Sequence, residues 1–227
     1  MDKVLAYREI RSNAEVQMYF KYMEGYFENT KEAFIRRKNC DKNHALYAAK
    51  TAERILKYLG YKKREQELAK IAAYMHDVGN IVSRYGHDQS SAIMFLNVIG
   101  DYNRYDEDVF TIVSAIGCHE DKTIEPVSPV AAALVIGDKT DVSHERVGTE
   151  DLYDLDKHSL VVAACKKVDV IVNKVKMSIE LKIKIDSTIC SVMNYFEIFM
   201  SRINYCRRAS SVLKCNFELY INDDKFL

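Results

Sequence analysis

The stretch Tyr74-Met75-His76-Asp77-Val78-Gly79-Asn80 decides how the rest of the chain is read. A histidine and an aspartate stand side by side where an apolar helical run, Leu68, Ile71, Ala72 and Met75, comes to its end before Gly79. A packed core has use for neither. Burying an ionised carboxylate without a partner costs on the order of several kcal/mol, so a cation close to Asp77 is the natural compensation. The C-terminal end of a helix carries partial negative charge, which also favours a cation there.

Working outward, neighbouring segments repeat the pattern. A helix predicted over residues 43–59 and ended by Gly60 has the apolar face Ala48, Ala52, Ile55 and Leu59, and His44 extends that stripe toward its N-terminus. His87 opens a segment whose inner face is Ser91, Met94, Phe95 and Val98. Over residues 106–120 the stripe Val109, Ile112, Val113 and Ile116 has His119 as its next member. Ser128-Pro129 has the N-cap and N1 form, and the helix it starts buries Ala132, Leu134 and Val135 with Asp138 on the same side. Four of the six histidines thus join two aspartates on or beside apolar faces: His44, His76, Asp77, His87, His119 and Asp138. Imidazole with carboxylate suits iron, manganese, nickel or zinc, whereas a lone magnesium rarely recruits so many histidines. Six donors exceed one tetrahedral site, so two cations bridged by Asp77 is the economical reading. His144 and His158 fall in a polar loop and at a helix start and are left out. Cys40, one turn before His44, reads as a buried thiol.

The bulk numbers bound the remainder. A chain of 227 residues buries one substantial core plus an appendage. Lysine plus arginine equals aspartate plus glutamate, 33 each, so no global field attracts a nucleic-acid polymer, a membrane or an acidic partner. Six cysteines without a CxxC pairing read as reduced core residues. The N-terminus lacks a signal peptide's apolar region, and charges interrupt every apolar run before it spans a bilayer, so a soluble, cytoplasmic protein is expected.

Four segments are expected. Residues 1–39 form N-terminal helices on the core, with Ser12-Asn13-Ala14-Glu15 as a capping box. Residues 40–147 form the helical metal-binding domain, and 148–166 an acidic linker and a short helix capped by Asp156 that runs through Lys166. In residues 167–227 the period becomes twofold: Val168, Val170 and Val172, then Ile179, Leu181, Ile183 and Ile185, predict a hairpin turning at 173–176. A helix over 188–213 and a strand carrying Phe217, Leu219 and Ile221 complete a ββαβ unit, one helix over a small antiparallel sheet. Its polar face, Ser178, Glu180, Lys182 and Lys184, offers no aromatic pair for base stacking, and its strand edges suit a homodimer.

The ordered set His44, His76-Asp77, Asp138 resembles the HD-domain metal-dependent phosphohydrolases, over residues 40–147. In that pattern His44 is the first ligand, His76-Asp77 the eponymous pair, and Asp138 in Ile136-Gly137-Asp138-Lys139 the last. His87 and His119 match the additional histidines of binuclear members, in which the aspartate of the pair bridges the metals. The resemblance implies a mostly α protein, an HD helical bundle with the small α+β unit appended. Asn80 stands where many members have lysine, and Tyr47 where arginine often follows the first ligand. No Gly-Tyr-Pro follows His119-Glu120-Asp121, which disfavours the cyclic-dinucleotide-cleaving branch. The chain is more similar to compact bacterial and archaeal members of uncertain substrate.

The chemistry implied is hydrolysis of a phosphate ester or anhydride in a small phosphorylated metabolite, a nucleotide first. The nucleophile is water activated to hydroxide by two divalent cations, iron or manganese first, with nickel, zinc or magnesium as alternatives. His76 and Asp77 are then the catalytic centre. Arg84, Lys122, Lys139 and Arg146 lie close in sequence to ligands and are candidate phosphate contacts, each equally readable as a surface charge. Glu120 and Asp121 are candidate leaving-group acids, although each reads better as an exposed acid. A di-iron oxygenase on the same scaffold, or a non-catalytic metal-containing ligand sensor, are the alternatives.

Overall fold

In the computed structural model, which describes residues 5–26, 41–100, 106–120, 125–146 and 156–227, the helix at the centre is the one started by Ser128. The Ser128 hydroxyl accepts the Ala131 N–H at 3.1 Å, Pro129 takes the first helical position, and every residue from Val130 to Lys139 is buried. Side chains such as Leu134 and Ile136 each contribute about 1.5–3 kcal/mol by leaving water. Numbering helices in chain order, this is α7 (Pro129–Lys139), preceded by α1 (Tyr7–Ser12), α2 (Ala14–Tyr26), α3 (Lys42–Leu59), α4 (Lys63–Met75), α5 (His87–Ile99) and α6 (Asp106–Gly117). Helices α3, α4 and α6 pack around α7. Against α3 the approach is main chain to main chain, since a Cβ on Gly137 would stand 2.7 Å from the Ala48 carbonyl oxygen.

Helix ends follow their local chemistry. Asp41 accepts the His44 N–H at 2.7 Å and starts α3, and Gly60, at φ 88°, ends it in the left-handed conformation that glycine adopts at least cost. In place of the capping box expected at Ser12, a simple N-cap forms one residue further on. Asn13 Oδ1 accepts the N–H groups of Glu15 and Val16 at 2.9 and 3.2 Å, while the Ser12 hydroxyl, on the last residue of α1, donates back to the Arg8 carbonyl. Helix α4 ends at Met75 rather than at Gly79, and a 3-10 turn, Val78–Ile81, follows.

The C-terminal unit comprises α8 (Lys157–Ala164), β1 (Cys165–Asn173), β2 (Ser178–Ile185), α9 (Val192–Val212), β3 (Asn216–Ile221) and β4 (Asp224–Lys225). Asp156 caps α8 as expected, but the strand begins at Cys165, so Lys166 is a strand residue. Helix α9 starts at Val192, where Ser191 and Asn194 cap each other reciprocally, because Asp186 first holds Thr188 in a turn. The sheet order is β1-β2-β3-β4, and it is mixed rather than antiparallel. β1 and β2 form the hairpin, β2 and β3 run parallel, and the short β4 pairs antiparallel with β3. The 21-residue α9 returns the chain to the starting end of β2, which a hairpin turn cannot do. As an interior strand β2 buries Ser178 and Glu180, so neither belongs to a solvated polar face; Lys182 Nζ lies 2.9 Å from Glu180 Oε2.

Helix α9 packs along α7, and hydrogen bonds also join this unit to the helical domain. Arg54 Nη2 donates to the Val170 carbonyl at 2.9 Å, and the Tyr205 hydroxyl of α9 donates to the Cys118 carbonyl at 2.6 Å. Cys118, Cys165, Cys190, Cys206 and Cys215 are buried free thiols, and Cys40 lies outside the described residues. Among the described residues no helix is long and apolar enough to cross a membrane.

Candidate metal centre

His44, His76, Asp77, His87, His119 and Asp138 are all buried, and they converge. They arrive from the first turn of α3, the end of α4, the start of α5, the turn after α6 and the last turn of α7. His44 Nε2 lies 3.6 Å from Asp77 Oδ2 and 3.3 Å from Asp138 Oδ1, and His76 Nε2 lies 3.4 and 3.7 Å from the same two oxygens. The other Asp77 oxygen, Oδ1, faces His87 Nε2 at 3.1 Å and His119 Nε2 at 3.8 Å. Donor atoms around a cation with bonds of roughly 2.1 Å stand roughly 3.0 Å apart in an octahedron and 3.4 Å apart in a tetrahedron. The spacings here fall around those values. Three triads satisfy the spacing expected of a metal site: His44, His76 and Asp77; His76, His119 and Asp138; Asp77, His87 and His119.

The imidazoles are oriented for this role. Nδ1 of His76, His87 and His119 lies 2.7, 2.9 and 2.7 Å from the carbonyl oxygens of Ala73, Arg84 and Ile116, each three residues earlier. A carbonyl only accepts, so the proton sits on Nδ1 and the Nε2 lone pair points into the cluster. Nε2 of these three rings has no hydrogen-bond partner among the described residues. Three buried lone pairs aimed at one point are costly unless something electrophilic receives them. His44 follows the same logic through a side chain, its Nδ1 standing 2.7 Å from Asp141 Oδ2.

The electrostatics point the same way. Burial pushes Asp77 up, but the adjacent His76, together with His119 and His87 facing the carboxylate, outweighs it and holds the carboxyl well below its usual range. Burial likewise opposes Asp138, and the Lys139 ammonium with His44 and His76 holds it well below. Burial disfavours a charged His76, yet Asp77 and Asp138 lift it to about 10. The two carboxylates therefore demand positive charge at the place where the Nε2 atoms meet. A divalent cation answers both demands, so the donor set fits the metal that its chemistry implies.

Gly79 contributes proximity rather than a helix stop. A Cβ there would stand 2.2 Å from the His87 carbonyl oxygen and 2.5 Å from Ser91 N, and the Gly79 N–H donates to Ser91 Oγ at 2.8 Å. The residue thus lets the start of α5, with His87, close onto Asp77.

Of the candidate phosphate contacts, Lys139 is buried, with Nζ 2.6 Å from Glu120 Oε1 and 2.7 Å from Asp138 Oδ2. Arg84 Nη2 lies 3.9 Å from the same Glu120 oxygen. Arg146 Nη1 donates to the Asp141 carbonyl at 2.7 Å, and its Nε is 3.7 Å from Asp141 Oδ2. Lys122 and Asp121 lie outside the described residues. Glu120 is not a solvated acid: although burial opposes it, Lys139 brings its carboxyl down to about 2. Two residues to which the sequence reading gave no part in holding the site belong to it. Asp141 orients His44. Asn80, in the position where many family members carry lysine, donates Nδ2 to the Asp77 carbonyl and Oδ1 at 2.9 and 3.1 Å and so fixes that carboxylate. The one signal for Asp141 was its spacing, three residues beyond Asp138.

Fold and site together define a helical bundle built around a histidine–carboxylate centre suited to divalent metal. Residues 42–143 match the family model of the HD domain, and the six donors and Asp141 all lie inside the match; the chain carries an HD domain. A comparison with curated proteins finds no match to the chain. HD domains as a family imply metal-dependent phosphohydrolase-type activity.

Proposed function

We propose that the protein hydrolyses a phosphate ester or anhydride in a small phosphorylated metabolite, with a nucleotide as the leading candidate, at a centre of two divalent cations. The observation that carries this reading is the division of Asp77. Oδ2 faces His44 and His76, whose Nε2 atoms also approach Asp138 Oδ1, and Oδ1 faces His87 and His119, so one carboxylate serves two donor sets. His44, His76, Asp77 and Asp138 would hold one cation, and Asp77, His87 and His119 the other. Iron or manganese suits this imidazole-rich set best. The bound cations supply Lewis acidity toward phosphoryl oxygen and an acidified water.

The chain's own residues do the positioning. Asn80 holds the Asp77 carboxylate from behind, and Asp141 keeps a proton on His44 Nδ1 so that Nε2 is available. Burial works against the Lys139 ammonium, but Asp138 and Glu120 raise it, so it remains a fixed positive charge beside the centre. Glu120, held ionised by Lys139, is unsuited to protonating a leaving group, which assigns that proton to solvent or to a residue elsewhere. Arg84, Lys139 and Arg146 are the proposed contacts to substrate phosphate. The proposed partner is the small substrate alone, with no nucleic-acid polymer or membrane. A second copy of the chain would add through the sheet edges, which are β1 and β4.

The test is elemental analysis of the purified protein combined with phosphate release from a nucleotide and phosphomonoester panel after loading with iron or manganese. One to two equivalents of metal and oxygen-independent release are expected. Asp77→Asn is expected to lower turnover at least a hundredfold. No release across the panel, or turnover retained in the variant, defeats the reading.

A further inference from the structure

His44, His87 and Asp138 stand inside helices, where the main-chain ladder fixes them, whereas His119 stands beyond Gly117, the last residue of α6. The carbonyls at a helix C-terminus find no partner within the helix, and the way they are met decides how the following residues run. At the end of α6 the Ser114 oxygen accepts the Cys118 N–H at 3.2 Å, and the Ala115 oxygen accepts the Cys118 thiol at 3.5 Å. The Ile116 oxygen accepts the His119 N–H at 3.3 Å, and the Gly117 oxygen accepts Gln89 Nε2 of α5 at 3.0 Å. All these donors belong to the segment 42–143 that matches the family model. The next carbonyl, that of Cys118, is met from outside it: the Tyr205 hydroxyl of α9 donates to it at 2.6 Å, and both residues are buried.

That bond acts on the peptide that carries His119. The Cys118 carbonyl and the His119 N–H belong to one planar unit, so a donor fixed against the oxygen also fixes where the His119 main chain starts. Tyr205 is firmly seated. Its ring is buried, the Arg208 guanidinium lies over it 5.1 Å from the centroid, and α9 packs along α7. On the other side of His119, Glu120 is held by Lys139 of α7 at 2.6 Å. The imidazole thus sits between two tertiary fastenings, with Nε2 3.8 Å from Asp77 Oδ1 and its ring centroid 5.1 Å from that of His87. A buried carbonyl deprived of its donor is costly, which drives the peptide to turn toward another partner. A cation site responds steeply to such a turn, because ligation holds donor atoms within roughly 0.2 Å of their ideal distances. The acceptors that orient His44 and His76, Asp141 and the Ala73 carbonyl, lie inside the matched segment instead.

We propose that Tyr205 is a positioning residue for His119, so that the C-terminal unit completes the cation site of Asp77, His87 and His119 and leaves that of His44, His76, Asp77 and Asp138 unaffected. The number of cations held is then set from outside the HD segment. This rests on the proposed function in taking the centre to hold two cations, and on nothing about its substrate.

The test reads binding rather than turnover. Full-length protein freed of metal is titrated with manganese, followed by calorimetry and by the electron paramagnetic resonance signal of a spin-coupled manganese pair. The wild type is expected to bind two equivalents and to show the coupled signal, and His119→Ala identifies which affinity belongs to the second site. Tyr205→Phe removes the hydroxyl and keeps the ring. It is expected to weaken the second site at least tenfold, to lose the coupled signal at two equivalents, and to hold the first site within twofold of wild type. Tyr195→Phe, which loses a buried hydroxyl elsewhere on α9, is expected to bind both cations as the wild type does. Wild-type binding at both sites in Tyr205→Phe, equal losses at both, or the same split in Tyr195→Phe overturns the proposal and leaves the hydrolase reading in place. A wild type that holds one manganese removes both readings. If Tyr205→Phe lowers the urea midpoint, p-aminophenylalanine and p-methylphenylalanine introduced at position 205 decide, since both fill the hydroxyl's volume and only the amine donates. Recovery of the second site by the amine alone supports the proposal, and equal behaviour of the two overturns it. A Tyr205-dependent second site in a protein that releases no phosphate from any substrate removes the hydrolase reading and leaves this one standing.

Discussion

Asp141→Asn is expected to weaken metal binding ten- to a hundredfold, about 1.4–2.7 kcal/mol, without unfolding the protein. Among the four candidate histidine ligands, only His44 has its Nδ1 held by a side chain; the others use main-chain carbonyls that substitution does not remove. A charged acceptor 2.7 Å from Nδ1 makes Nε2 a better donor and fixes the ring tautomer. Asparagine preserves the shape and can still accept from Nδ1–H, so what is lost is the charge. The backbone there should stay in place, because Arg146 Nη1 is bonded to the main-chain carbonyl of Asp141. The assay is competition for manganese or zinc against a chromogenic chelator, with urea unfolding of the metal-free protein as a control. Affinity within twofold of wild type would refute the argument that Asp141 tunes the first ligand. So would an affinity loss matched by destabilisation of the metal-free fold, which would make the residue a structural one.

Gly79→Ala places a methyl group 2.2 Å from the His87 carbonyl oxygen and is expected to destabilise the protein by about 2–3 kcal/mol in urea unfolding and to reduce metal content; a change below about 0.5 kcal/mol would sink the close-approach argument. His158 has a folded pKa of about 4, below its unfolded value of roughly 6.5, because burial and then Arg202 disfavour its charged form. Its unfolded form therefore binds the proton more readily. Stability is full above about pH 6.5 and declines as pH falls toward 4, by about 1–2 kcal/mol once partial exposure is allowed for. His158→Gln should flatten the wild-type difference in unfolding free energy between pH 7 and 5 by about that amount, measured in metal-free protein. An unchanged pH slope would show that His158 does not titrate this way.

The candidate metal donors were legible because helical periodicity reserves a slot for an apolar residue, and His44, His119 and Asp138 each fill such a slot with a polar one. Asp141 occupies no such slot. It follows the end of α7, and its partner lies 97 residues away, a relation that only the packed chain creates. Strand alternation at Phe217, Leu219 and Ile221 showed which face is apolar but carries no sign of direction, so the parallel pairing with β2 had to come from the α9 crossover. Glu180 was misread for a related reason: the period gives the face of a strand, and the sheet decides whether that face is wet. The boundary between α8 and β1 falls within the run Val161 to Cys165, where small apolar residues suit either element.

The contact of Gly137 with Ala48 has a consequence for how the centre tolerates change. His44 lies one turn from Ala48 and Asp138 directly follows Gly137, so the separation of these two ligands is set where two peptide backbones touch. Side chains elsewhere in the core, such as Ile55, Ile71 and Leu134, can be exchanged for others of similar volume at a cost in stability while the ligand spacing persists. A single methyl at position 137 does the opposite, wedging α3 from α7 and shifting the two candidate ligands apart with the core volume hardly altered. The spacing of the candidate donors is thereby insulated from sequence drift in its surroundings, and its sensitivity is concentrated in one residue that has no side chain.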